Sequence, residues 1–395
     1  MKNLKYIFSI EGLVAFLLFL MLKPVFVWGT NMFFITYLLI LILIFNYQKS
    51  SKNNILFIFL FLILSIGPIH DGKNFFGILS VVLFAFIPFV KPEFLKKSYH
   101  IFKLIFVVIS AISLLIWIGL SFGFSFPSKV IPPLNDLKTY NYLSYTFLVV
   151  PMNFADIGRF SCVFDEPGAV GTYSLIMLFI SNFDFKKYDN IIILIAGICS
   201  LSLFFYVSLF FFLCYKVFFV GSSFKARLIT ISLIVSFVIS VLTVPVLNEA
   251  IGARIEYDKS TGKFAGDNRS GEMLDNHIES IKGTNAYFWG DSDENIEYFS
   301  AYAGLQTAIL RYGVVFIILY FIFFFCYAYF RTSKRGLLLF MILLFATLYQ
   351  RPAFVNSGYL YLFTCAVLFG FRECEDIRQI AVNSCKTSKI ISYDK

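Results

Sequence analysis

Stretches of about 20 apolar residues, the length a helix needs to cross the hydrocarbon core of a bilayer, recur from Tyr6 to Phe371. Only 14% of the residues are charged against 59% hydrophobic, so no soluble core can enclose the apolar surface, and the spans themselves must be the fold. The first follows Lys2 and Lys5 as a signal peptide would, but no small-residue cleavage site follows it. A second begins close after Lys23 and Pro24, so the first is read as retained.

The hydropathy predicts spans over Tyr6–Leu22, Val25–Phe45, Ile55–Ile69, Asn74–Val90, Ile101–Phe124 and Gly168–Asn182. It predicts others over Leu228–Leu247, Ala301–Phe330, Leu337–Tyr349 and Tyr359–Phe371. Between these sets, Ile191–Val220 is long for one helix and short for two, and Ser200 and Ser202 mark where a turn would divide it. Short cytoplasmic loops collect Lys and Arg, and that bias decides in favour of two spans there. Lys49 and Lys52, then Lys91, Lys96 and Lys97, then Lys186 and Lys187, then Lys216, Lys225 and Arg227, then Arg331, Lys334 and Arg335 all fall on one side. The short connections of the other side hold only Lys23, Lys73 and Arg351. The expected fold is all-α: one transmembrane bundle over residues 1–395, of about twelve spans, with both termini cytoplasmic.

The net charge of +9 is dispersed among these loops instead of gathered on one domain, which argues against nucleic acid as a partner. Four cysteines, at 199, 214, 326 and 365, fall in apolar spans, and Cys162 is alone in an outer loop, so no disulfide framework is expected.

This topology places two long loops, 126–167 and 248–300, on one outer face. They hold Arg159, Asp165 and Glu166 in the first, and Arg254, Arg269, His277, Asp291, Asp293 and Glu294 in the second. Neither a Walker A motif nor a dinucleotide-binding glycine pattern nor an internal repeat is present.

The run Gly158-Arg159-Phe160-Ser161-Cys162-Val163-Phe164-Asp165-Glu166-Pro167-Gly168, leading into a span, resembles the arginine-to-EPG segment of O-antigen and exopolysaccharide polymerases. The stretch from Asp267-Asn268-Arg269 through Phe288-Trp289-Gly290 to Arg311-Tyr312-Gly313 resembles the second outer loop of that family, whose layout the O-antigen ligases share. The ligase superfamily often carries a histidine shortly before the span that ends this loop, whereas here residues 298–302 have none and His277 lies earlier. The resemblance implies a multi-pass protein of a bacterial inner membrane with its active face periplasmic. It would transfer a growing glycan from undecaprenyl pyrophosphate to the next lipid-linked repeat unit, without cofactor or metal. Its partners would be undecaprenyl-pyrophosphate-linked oligosaccharides and membrane lipids, with a chain-length regulator as a candidate. The alternatives are an O-antigen ligase, which uses the same donor, and a flippase or transporter of lipid-linked glycans, for which paired half-repeats are expected.

That chemistry needs cations for a pyrophosphate leaving group and a proton acceptor for the attacking hydroxyl. Arg159, Arg254, Arg269 and Arg311 are the candidate substrate-binding residues; Arg311 is read as a charge part-way down a span, Arg254 and Arg269 read equally as solvated or paired charges, and the alternative for Arg159 is an interfacial arginine that snorkels to lipid headgroups. Glu166, His277 and Asp165 are the candidate catalytic groups. Glu166 and Asp165 serve equally as helix N-terminal charges before Pro167, and His277 equally as a solvated loop histidine. Arg351 beside Pro352 reads as an interface anchor. Asp291-Ser292-Asp293 resembles the aspartate pair of metal-dependent sugar transferases but is read here as loop acidity.

Overall fold

The computed structural model describes residues 8–66, 82–133, 140–152, 158–219, 224–245, 271–299 and 304–370, with isolated positions at 248, 252, 257–258 and 263–264. Arg254 and Arg269, together with residues 67–81 and 371–395, lie outside the described residues.

The fold is mostly helical. In chain order the long apolar elements are α1 (Ile10–Leu20), α2 (Phe33–Phe45), α3 (Ser51–Ile66), α4 (Pro92–Ser121), α5 (Pro167–Ile180), α6 (Tyr188–Cys199), α7 (Leu203–Phe219) and α8 (Phe224–Thr243). Three short helices follow, α9 (Glu272–Ile281), α10 (Asn285–Trp289) and α11 (Asp293–Tyr298), and then α12 (Leu305–Tyr329), α13 (Lys334–Gln350) and α14 (Ser357–Phe369). Among the described residues α4 and α12 are the two helices long and apolar enough to cross a membrane. Local chemistry sets several starts. Proline stands at the first position of α4 and α5, where its missing N–H is no loss. Ser9, Ser333 and Asn356 cap α1, α13 and α14 by accepting the N–H groups of Gly12, Gly336 and Tyr359.

Successive elements run between two ends of the bundle. At one end Lys103 of α4 reaches Ser181 at 3.1 Å, just past α5, and Asn190 and Asp189 at the start of α6. Lys216, near the end of α7, donates to the carbonyls of Asn182 and Phe183 at 2.8 Å. At the other end Arg159 meets Ser200 just past α6. The helices α6 and α7 are therefore antiparallel, and the chain turns between them at Ser200–Ser202, where Leu201 has φ +47°. Lys97 and Glu11 pair at 3.4 Å, and Arg331 donates to Asn53 at 2.5 Å, both at the lysine-bearing end.

The centre is built from α5 and α14, whose residues are buried almost throughout because both are apolar around their whole circumference. The outer helices instead turn large apolar side chains outward at helical spacing. Leu104, Val108, Leu115 and Ile118 form such a stripe on α4, and Ile318, Ile322, Phe325 and Tyr329 another on α12. A soluble surface rarely carries contiguous apolar patches of this extent.

Three features depart from the sequence expectation. An antiparallel sheet of β1 (Lys129–Ile131), β2 (Tyr142–Ser144) and β3 (Val149–Pro151) forms in the segment between α4 and α5, so the fold is not purely helical. The expected span over Val25–Phe45 begins only at Phe33, after a 3-10 turn at Val25–Val27. The expected span over Ala301–Phe330 is broken at Gly313, whose φ of 76° and ψ of 159° interrupt α12.

Candidate functional site

The EPG segment of the first loop is drawn into the bundle. Phe160 N–H donates to Cys199 O at 3.0 Å, Val149 N–H to Cys162 O at 2.8 Å and Val25 N–H to Val163 O at 2.8 Å, so three parts of the chain hold it. Phe160, Cys162, Val163 and Phe164 are fully buried. Cys162 Sγ lies 3.3 Å from Ser113 Oγ, and burial pushes its thiol up to about 11, which disfavours the nucleophilic thiolate. Arg159 Nε donates to Ser200 O at 3.1 Å, placing a cation where α6 ends and its carbonyls point.

This anchoring delivers Glu166 to the start of the central helix α5, where it is the N-cap residue in extended conformation (φ −142°). Its side chain does not cap the helix. The carboxylate instead pairs with Nη2 of Arg351, which ends α13 on the way to α14. The Arg351 side chain is 20% exposed and that of Glu166 44%. The guanidinium rests against Gly168, where an added Cβ would stand 3.0 Å from Nη2 and press on it. Burial works against the Arg351 charge, but the adjacent Glu166 carboxylate holds its pKa above the ordinary value. The rings of Tyr173 and Tyr359, 5.2 Å apart, lie close to the same guanidinium. Tyr142, buried in the sheet, donates its hydroxyl to Asp165 O at 3.0 Å and packs edge-on against Trp28 at 5.3 Å.

The second loop carries a further pair. His277 projects from α9, and its Nε2 lies 2.6 Å from Oδ2 of Asp291, which follows α10. The other carboxylate oxygen accepts from Ser292 N–H at 2.7 Å and from Asn295 Nδ2 at 3.1 Å. Burial, which leaves the Asp291 side chain 8% exposed, would raise its pKa; the hydrogen bonds from His277, Asn295 and Ser292 outweigh that and hold it below the usual carboxylate range. The imidazole also lies 4.9 Å from the ring of Phe299. A small core of Leu274, Ile278, Ile296, Phe299 and Leu310 joins α9 and α11 to the first leg of α12.

The break in α12 makes this docking close. Asp291 N–H donates to Leu310 O at 2.7 Å, and a Cβ at Gly313 would stand 2.2 Å from Phe288 O. Next to Gly313, Tyr312 and Phe354 approach to 6.4 Å, and Phe354 lies three positions after Arg351. The Glu166–Arg351 ion pair and the His277–Asp291 contact thus belong to one end of the bundle, opposite the lysine-bearing end.

The structure corrects several sequence expectations. Arg351 is an ion-pair partner of Glu166 and not a surface anchor. Arg311 stands two positions before the break, in the leg that packs on α9–α11, and not part-way down an unbroken span. Asp291 directs its carboxylate to His277 and Asn295, while Asp293 opens α11 behind the Ser292 cap, and among the described residues no group of three His, Cys, Asp or Glu gathers. Sequence reasoning named His277, Glu166 and Asp165 but missed both partners. An arginine in an outer connection otherwise nearly free of basic residues was the available signal for Arg351, and nothing local marked Asp291 as the partner of His277.

The chain matches no protein-family model, no curated protein and no solved structure.

Proposed function

We propose that the chain is a multi-pass membrane glycosyltransferase of the O-antigen polymerase type. It would join glycans carried on undecaprenyl pyrophosphate at the periplasmic face of a bacterial inner membrane. The succession of apolar helices α1–α8 and α12–α14, with Lys103, Lys216 and Arg331 at one end of the bundle, supports a many-span membrane protein. The exposed apolar stripes support lipid around them.

The observation that carries the chemical reading is the His277–Asp291 contact. A hydroxyl attacking an anomeric carbon must lose its proton as the new bond forms, and the acceptor works best with a pKa near the operating pH. With Nε2–H donating to Asp291, the neutral imidazole presents Nδ1 as the acceptor, and the buried carboxylate stabilises the imidazolium that results. The carbon–oxygen bond to the pyrophosphate breaks as the glycosidic bond forms, and the departing oxygen keeps the electron pair. A pyrophosphate leaves as a stable anion, so the site needs cationic stabilisation there and no strong acid. Nucleotide is not required, because the donor is already activated.

The test is the lipopolysaccharide banding of a deletion strain complemented with the wild-type chain or with His277→Ala. Core carrying one repeat, in the deletion and in the variant, is the expected result. Bare core would make the protein a ligase, and an unchanged ladder would remove it from glycan assembly.

A further inference from the structure

We propose that the exposed rings of Trp289 and Tyr298 form a platform for one sugar ring of the acceptor glycan beside His277, and that the sugar they take is uncharged. This assignment rests on the polymerase reading for the presence of a glycan.

The backbone that carries Trp289 is fixed from below. A Cβ at Gly313 would stand 2.6 Å from Trp289 N, and one at Gly290 would stand 3.1 Å from Arg311 O, so this stretch lies directly on the break in α12. Gly290 N–H donates to Ala286 O at 3.0 Å, and Asp291 N–H donates to Leu310 O at 2.7 Å. The rings nevertheless face outward, Trp289 being 45% exposed and Tyr298 64%. Large rings on a pinned backbone lose little freedom when they meet a ligand, which is how rigid aromatic contacts gain affinity.

Both rings adjoin the His277–Asp291 contact. Trp289 stands two positions before Asp291. Tyr298 packs edge-on against Phe299 at 4.9 Å, and Phe299 lies 4.9 Å from the imidazole, which keeps 21% of its side chain exposed.

Charge identifies the occupant. Residues 272–299 hold seven acidic side chains and one basic one, Lys282. Aromatic residues that lie on a bilayer surface keep company with Lys and Arg, which meet anionic headgroups, and this segment has the opposite sign. A sugar ring fits it. The C–H face of the sugar is drawn to the negative face of an aromatic ring, and its hydroxyls donate to carboxylates. Asp293 and Glu294, exposed at the start of α11, supply such acceptors four and five positions after Trp289. A sugar bearing its own carboxylate meets like charge there and is disfavoured.

The full chain in detergent is titrated by equilibrium dialysis with the radiolabelled repeat oligosaccharide released by mild acid from the source strain's lipid-linked pool. A derivative with its primary hydroxyls oxidised to carboxylates is the charged probe, and melting curves of every variant establish folding. Trp289→Leu is expected to bind the oligosaccharide about tenfold more weakly than wild type, the usual loss for a truncated aromatic contact, with Trp289→Phe in between. Tyr298→Leu should weaken binding in the same direction. Tyr329→Leu, which removes an exposed ring at the lysine-bearing end, should leave it unchanged. The charged probe should bind wild type about tenfold more weakly than its parent and recover in Asp293→Asn/Glu294→Gln. Should Trp289→Leu not fold, Trp289→Phe and Tyr298→Leu still decide.

Normal binding by the folded Trp289 and Tyr298 variants overturns the platform and leaves the polymerase reading standing. Equal binding of the charged probe overturns the choice of an uncharged sugar. Strong quenching of Trp289 fluorescence by brominated phosphatidylcholine, in a Trp28→Phe/Trp117→Phe chain in liposomes, makes the ring a bilayer contact and also overturns the assignment. Failure of the folded wild-type chain to bind the oligosaccharide removes the glycan itself, and both readings fall.

Discussion

His277 Nε2 and Asp291 Oδ2 stand 2.6 Å apart although they are 14 positions apart in the chain, with the whole of α10 between them. The contact exists because α10 packs on the break at Gly313 and Asp291 N–H binds Leu310 O. A kink in a long helix thereby sets the geometry of the candidate acid–base pair.

His277→Gln is expected to lower turnover by about a hundredfold or more, the usual contribution of a positioned general base. Asp291→Asn should lower it as well, because the amide neither stabilises the imidazolium nor fixes the tautomer. Rates from purified protein at matched concentration check both. Equal rates for wild type and Asp291→Asn would reduce the pair to a structural contact.

The same pair predicts a pH dependence. The Asp291 carboxyl is held below its usual range, so its contribution to stability is fully present above the unfolded pKa of about 3.9 and is lost as pH falls through the folded value. The stability difference between wild type and Asp291→Asn, measured by thermal unfolding, should narrow as pH falls through the folded Asp291 value. A gap that widens under acid would contradict the assignment.

Gly313→Ala should undock α9–α11. The residue has φ +76°, and its Cβ would fall 2.2 Å from Phe288 O, so strain and clash together cost about 2 kcal/mol or more. Limited proteolysis within 272–299 reports the release, and cleavage no faster than in wild type would show that the break tolerates a side chain.

Much of the helical layout was legible, because the membrane period and the lysine bias depend on composition over whole segments. Ser200 and Ser202 marked the turn between α6 and α7, and the structure turns there. The kink at Gly313 was hidden inside an apolar run, although Arg311 and Gly313 together were a signal of a break. The strands β1–β3 are only three residues each, too short for an alternating pattern to stand out. The pairs His277–Asp291 and Glu166–Arg351 were beyond reach, the second spanning 185 positions, since partner choice depends on which helix ends meet.

The lysine-bearing end offers a stability test apart from function. Lys103 is 8% exposed and tied to Asp189 at 2.6 Å, to Asn190 at 2.5 Å and to Ser181 at 3.1 Å. Lys103→Met leaves those acceptors without their cation and should destabilise the bundle by about 2 to 3 kcal/mol, moderated because Asp189 is 36% exposed. A melting midpoint in detergent equal to wild type would show that water replaces the lysine there.

The most direct measurement reconstitutes the purified full chain into liposomes with undecaprenyl-pyrophosphate-linked repeat units, in EDTA and without nucleotide, and follows glycan length by gel electrophoresis. A ladder of lengthened chains, abolished by His277→Gln, is the predicted result. Chains that stay at one repeat with the folded wild-type protein, or that lengthen only when a divalent cation or a nucleotide is added, would contradict it.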